Sequence, residues 1–148
     1  MFRKVTNSFY AAPQISIENV AAARDMGVTL IINNRPDGEE PSAPQGDDIE
    51  AAATTAGIAY VAIPVTHAGF SRPQIDAMSA ALEHNDGKIL AYCRSGTRST
   101  LLWALSQAAS GESTRVIAAR AQDAGYDVAP VAMMIEALCA QWAAQSAE

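Results

Sequence analysis

Short apolar runs and longer amphipathic stretches alternate along the chain. Phe9-Tyr10-Ala11, Val28 to Asn33, Ile58 to Val65 and Lys88 to Tyr92 have the length and residue types of buried strands. Between them the pattern turns helical, with recognisable ends. Ser16 reads as the N-cap of a helix through Met26, which Gly27 closes. Asn34 to Asp48 holds three prolines, two glycines and charges at Arg35, Asp37, Glu39, Glu40, Asp47 and Asp48, the make-up of a long loop. Asp47 or Asp48 is expected to cap a helix ending at Gly57. Ser71 with Pro73 opens a helix to about His84, and Asn85-Asp86-Gly87 turns the chain into the Lys88 strand. From about Ser99, the residues Leu101, Leu102 and Leu105 recur at helical spacing, and two more helices are expected over roughly 112–124 and 130–144.

Strands alternating with helices predict an α/β fold, a mainly parallel central sheet flanked by helices, in one domain over residues 1–148. In such a sheet, ligands bind outside the carboxyl ends of the strands. Three loops are therefore predicted to converge: Asn33 to Asp37, Thr66 to Phe70, and Cys93 to Arg98.

Composition narrows the function. Apolar residues at 49% and charged residues at 18% are ordinary for a folded domain, and 31 alanines fit the helical stretches. A net charge of -6 argues against a general binder of nucleic acid or anionic membranes, so an anionic ligand must be caught by local geometry. The longest apolar run, Ile58 to Val65, is too short to span a bilayer, and the opening MFRKVTN lacks an apolar signal region, which points to the cytoplasm. Two cysteines make no disulfide framework, and two histidines, His67 and His84, offer no metal-ligand spacing; no metal or cofactor is implied.

One loop carries recognisable chemistry. Tyr92-Cys93-Arg94-Ser95-Gly96-Thr97-Arg98-Ser99-Thr100 joins an apolar strand directly to a helix. The N–H groups of a tight glycine turn, the first N–H groups of the helix, Arg94 and Arg98 all favour negative charge at the Cys93 sulfur. The same cradle, lined by Arg94, Ser95, Gly96, Thr97 and Ser99, suits an oxyanion, with Arg98 able to make a two-pronged contact. Cys139, among Met133, Met134, Ile135, Leu138 and Trp142, reads instead as core packing. On the neighbouring loops, His67 could titrate in a useful range and Arg35 could add an anion contact, with Asn34 and Asp37 beside it. The acidic residues that follow read as solvated loop charges.

The strand, Cys-x-x-Gly-x-Arg loop and helix resemble the active loop of rhodanese-type sulfurtransferases. The chain-wide layout, with Ile63-Pro64-Val65, a loop, a helix and then the Lys88 strand and Cys loop, resembles a small dual-specificity protein tyrosine phosphatase. The combination of Ile31-Ile32-Asn33-Asn34-Arg35-Pro36-Asp37-Gly38-Glu39-Glu40 with Tyr92 to Ser99 is similar to the bacterial family called β-lactamase hydrolase-like protein, phosphatase-like domain, over about residues 3 to 128. The resemblance implies a protein tyrosine phosphatase-like three-layer fold and a nucleophilic Cys93. Members of the family can be joined to a metal-dependent hydrolase domain, which this chain is too short and too poor in histidine to contain.

Two departures bear on the reaction. Phosphatases of this type use Cys-x5-Arg, whereas Arg98 stands one place early; the shorter loop is the rhodanese length. Thr66 to Ser71 also lacks the carboxylate that would protonate a leaving alkoxide or phenoxide. The leading expectation is a sulfurtransferase working through a Cys93 persulfide, with a small anionic or persulfide donor and a thiol acceptor as partners. A phosphatase with His67 in place of the missing acid, or a silent oxyanion-binding module, are the alternatives.

Overall fold

The computed structural model describes residues 1–147. The strands Val28–Asn33 (β3) and Lys88–Tyr92 (β5) have the predicted bounds and run side by side in parallel. Phe9–Ala12 (β2) flanks β5 on its other side and Ala59–Ala62 (β4) flanks β3, also in parallel. A two-residue strand, Arg3–Lys4 (β1), joins β2 antiparallel and gives the order β1-β2-β5-β3-β4. It is too short to leave a period in the sequence.

β4 is shorter than the predicted Ile58 to Val65. Pro64 has no N–H to give the ladder, and the chain leaves the strand there. Pairing nevertheless persists in two bonds beyond it, from Ile63 N–H to Asn33 O and from Val65 N–H to Asn34 O.

Helices lie on both faces. Ile17–Met26 (α1) starts on the predicted Ser16 cap, and Gly27 ends it at a φ of 95°, the left-handed conformation that favours glycine. Gly46–Ala56 (α2) begins earlier than predicted. Gln45 is its N-cap and Asp48 stands three residues in, where its carboxylate accepts from Gln45 N–H, so neither Asp47 nor Asp48 is the cap. Arg72–His84 (α3) follows Ser71 as expected. Thr97–Ala109 (α4) opens two residues before the predicted Ser99, which puts Arg98 in its first turn. Thr114–Asp123 (α5) and Ala132–Ser146 (α6) complete the chain, with a turn of 3-10 helix at Ala129–Val131 before α6.

The core follows from the strand alternation. Ile31 and Leu90 face Val20 and Ala23 of α1 and Ile49 and Ala53 of α2. Ile32 and Ile89 face the other way, onto Ile75 and Met78 of α3, Leu101, Leu102 and Leu105 of α4, Ile117 of α5 and Ile135 of α6. The sheet is thus the middle layer of three. Trp103 stacks on Phe9 with ring centroids 5.9 Å apart, and each such fully buried large side chain contributes about 1.5–3 kcal/mol.

This arrangement aligns the ends of four strands. Tyr92 lies opposite Ala12 on one side and Asn33 on the other, and Asn33 lies opposite Ala62. The loops after β2, β3, β4 and β5 therefore leave from one edge of the sheet.

Candidate active site

Cys93 is the first residue beyond β5 and is fully buried. Its N–H donates to Ala12 O at 3.3 Å, anchoring it to the end of β2. Gly96 N–H donates to the Cys93 sulfur at 3.1 Å, as expected of a cradle that stabilises negative charge there. The turn needs glycine at that point, because Gly96 has a φ of 91°.

The loop is tied down from several sides. Thr100 N–H and its hydroxyl both donate to Gly96 O, at 3.0 and 2.9 Å. Ser95 Oγ donates to Thr97 Oγ1 at 3.0 Å and accepts from Thr97 N–H at 3.4 Å. Gln14 N–H donates to Arg94 O at 3.3 Å, and the Tyr126 hydroxyl donates to Ser95 O at 3.2 Å. Gln14 and Tyr126 are absent from the sequence-based site because nothing in their local pattern connects them to a loop so distant in the chain. Ser99 is fully buried and its hydroxyl has no hydrogen-bond partner among the described residues.

The brace from Tyr126 makes Gly96 intolerant of a side chain. A Cβ there would run into the Tyr126 hydroxyl and lie 3.3 Å from the carbonyl carbon of Ala12. With the positive φ added, Gly96→Ala is expected to cost about 2 kcal/mol or more in urea denaturation. An unchanged midpoint would show that the loop is not clamped in this way.

Arg98 makes its strongest contacts with a residue that the sequence reading leaves as a solvated charge. Its Nη1 and Nη2 donate to Glu39 Oε2 and Oε1, both at 2.8 Å, and Nη1 also donates to Val65 O at 2.8 Å. Glu39 accepts a third bond, from Arg35 Nε at 2.8 Å. Its side chain is 25% exposed and links two arginines. Those bonds, from Arg98 foremost and then Arg35, outweigh desolvation and hold the Glu39 pKa at about 2. The reading of Glu39 as a solvated charge is therefore corrected: it pairs across 59 residues of sequence.

Arg35 is 7% exposed and is occupied by three acceptors. Besides Glu39, it donates to Gln14 Oε1 at 3.0 Å and to Glu40 Oε2 at 3.3 Å. It reaches Arg98 through Glu39. Asn34 is fully buried beneath the loops, where its N–H donates to Tyr92 O and its Nδ2 to Ile63 O, stitching the ends of β3, β4 and β5. Asp37 is engaged elsewhere: its Oδ1 accepts from Gly46 N–H at 2.9 Å and fixes the start of α2. His67 is exposed and has no side-chain partner among the described residues, although Val65, two residues before it, touches Arg98. The Arg94 side chain is exposed.

Cys139 is only partly buried, on α6, where its thiol donates to Glu112 O at 3.3 Å and burial pushes its pKa up. Among the described residues, no three of His, Cys, Asp and Glu converge as a metal site, and no helix is long and apolar enough to cross a membrane.

The chain matches the family described as beta-lactamase hydrolase-like protein, phosphatase-like domain, over residues 1–110. A beta-lactamase hydrolase-like protein of Xylella fastidiosa is 43% identical over 89 residues, 60% of this chain and 21% of that protein. Its counterpart in Agrobacterium fabrum is 32% identical over 112 residues, 76% of this chain and 26% of that protein. The chain thus spans about a fifth to a quarter of the length of these relatives. Among solved structures, a candidate phosphatase from Neisseria meningitidis superposes with a TM-score of 0.81 at 30% identity, covering 93% of this chain and 97% of the other. Human DUSP28, at 20% identity and a TM-score of 0.66, covers 97% of this chain and 99% of its own, a likeness of fold alone. The chain belongs to the beta-lactamase hydrolase-like protein, phosphatase-like domain family and has the protein tyrosine phosphatase-like α/β fold.

Proposed function

We propose that this protein is a cysteine-nucleophile enzyme for small anions whose leaving group departs without a proton, and that its reaction is sulfur transfer. The observation that carries this reading is the state of Glu39. It is a carboxylate that reaches the Cys93 loop, yet Arg98 and Arg35 occupy both of its oxygens and favour its ionised form, so it is not placed to hand a proton to a leaving group. Asp37 is committed to α2, and among the described residues His67 has no hydrogen-bond partner to orient it. Sulfite leaving from thiosulfate is a weak base and needs no acid.

In the proposed step the Cys93 thiolate attacks the outer sulfur of thiosulfate. A new sulfur–sulfur bond forms, the old one breaks, and sulfite leaves with its electron pair. On this reading Gly96 N–H and Arg98 stabilise the negative charge of the persulfide, and an acceptor thiolate then removes its outer sulfur and restores the Cys93 thiolate.

The second reading, a cysteine phosphatase acting through a phosphocysteine, is the one that the comparisons favour. The family description is phosphatase-like and the Neisseria structure is a candidate phosphatase. Turnover of thiosulfate and of an aryl phosphate, measured side by side, separates the two. Under the sulfurtransferase reading, thiosulfate is the better substrate and His67→Ala leaves its rate within a few-fold. Under the phosphatase reading, aryl phosphate is turned over efficiently and His67→Ala costs about 10²-fold, the scale of general acid catalysis.

A further inference from the structure

We propose that Glu39 is a positioning residue for Arg98, turning one edge of its guanidinium towards the anion that Cys93 attacks. The proposal rests on the reading above only in taking Arg98 as the anion-binding group, which sulfur transfer and phosphate hydrolysis share.

The argument is a count of donors. A guanidinium has five N–H groups in a plane. Three are taken: both of those on Nη1, by Glu39 and Val65 O, and one on Nη2, by Glu39. Glu39 thus holds the edge formed by Nη1 and Nη2. The two donors left, on Nε and Nη2, share the adjacent edge and form the second fork of the same plane. That fork has the geometry for two oxygens of one tetrahedral anion. The Cys93 sulfur is near enough that, after the hydrogen bond to Glu39 and against desolvation, it helps to raise the Arg98 pKa.

Glu39 can fix this plane because it is itself fixed. Arg35 holds its Oε1, and Arg35 is buried and tied to Gln14, whose N–H bonds the carbonyl of Arg94 in the cysteine loop. The anchor therefore begins and ends on the loop that carries the nucleophile. Val65 O, from the loop after β4, adds the third fixed point on Arg98.

The competing interpretation is that the Glu39 carboxylate occupies the anion's own place on Arg98 and must leave before substrate binds. The two interpretations predict opposite signs. Removing a negative charge beside an anion site would ordinarily tighten anion binding, and removing a competitor would tighten it further. Loss of a positioning group loosens it.

Inorganic sulfate, which undergoes no reaction with the protein, protects Cys93 from alkylation by iodoacetamide if it fills the cradle. The concentration giving half-protection is the readout. In Glu39→Gln and in Glu39→Asp, which keeps the charge but falls short of the fork, that concentration is expected to rise about tenfold. In an Arg98→Ala background, Glu39→Gln is expected to cause no further rise, since the positioning effect acts through that side chain. Half-protection at an unchanged or lower sulfate concentration in either single variant overturns the proposal while leaving the anion-binding reading intact. A rise on Glu39→Gln that persists in Arg98→Ala also overturns it. Failure of sulfate to protect the unaltered protein overturns both.

Discussion

Replacing Cys93 by serine is expected to abolish turnover of thiosulfate and of aryl phosphate alike, by at least about 10³-fold, while leaving the fold intact. The buried sulfur accepts one hydrogen bond, from Gly96 N–H, and a serine oxygen is a smaller acceptor in the same place. Stability should therefore change little. Reactivity should not survive, because a hydroxyl needs a base to become a nucleophile. Among the described residues, no carboxylate or histidine is bonded to residue 93. Retained turnover in Cys93→Ser would move the reaction away from this loop altogether.

The second large effect is expected from Arg98→Lys. A lysine keeps the charge but has a single ammonium in place of the planar fork, so it cannot hold Glu39 through two parallel bonds and an anion through two more. The rate constant for reaction with thiosulfate should fall about 10²-fold, the scale for losing one oriented donor to developing negative charge. Alkylation of Cys93 by neutral iodoacetamide should continue, because Gly96 N–H still faces the sulfur. Parallel loss of both activities would mean that Arg98 holds the loop in shape rather than binding the anion.

The contrast between those residues and Glu39 shows what the sequence can and cannot reveal. Cys93, Gly96 and Arg98 are legible because their chemistry is local: a thiol at a strand end, a glycine for a left-handed turn, an arginine in the first turn of the following helix. The bounds of β3 and β5, the Ser16 cap and the Gly27 stop are legible for the same reason, each resting on a few adjacent residues. Glu39 stands in a charged loop, where its identity is indistinguishable from that of Glu40 or Asp47. Only the parallel order β5-β3-β4, which brings the loop after β3 beside the loop after β5, reveals that its partner is Arg98. Gln14 and Tyr126 were hidden likewise. Both act on backbone carbonyls of the cysteine loop, which leave no residue signature at the loop's end of the contact.

Asn34 and Asp37 show the reverse. Their position beside Arg35 suggests an anion site, but Asn34 Nδ2 and Asp37 Oδ1 are taken by backbone partners exposed by the architecture: Ile63 O after β4, and Gly46 N–H at the start of α2. Buried or terminal backbone groups need partners whatever the protein does, so polar residues near strand ends are often taken up in this way.

The shortened distance from Cys93 to Arg98 is where fold and chemistry diverge. The fold is protein tyrosine phosphatase-like, as the superpositions on the Neisseria structure and on human DUSP28 show. The loop holds one residue fewer between nucleophile and arginine than the phosphatase pattern, and the carboxylate nearest to hand is locked as an anion. On the proposed reading the shorter loop suits a smaller ligand and the paired carboxylate does not protonate a basic leaving group, while neither feature hinders transfer of a single sulfur.

The measurement that tests this account most directly is the mass of the peptide containing Cys93 after incubation with thiosulfate. The account predicts an increase of one sulfur atom, reversed by dithiothreitol, absent in Cys93→Ser, and accompanied by release of sulfite. Efficient hydrolysis of aryl phosphate with no added sulfur on Cys93, from thiosulfate or from glutathione persulfide, would contradict it and establish the phosphatase in its place.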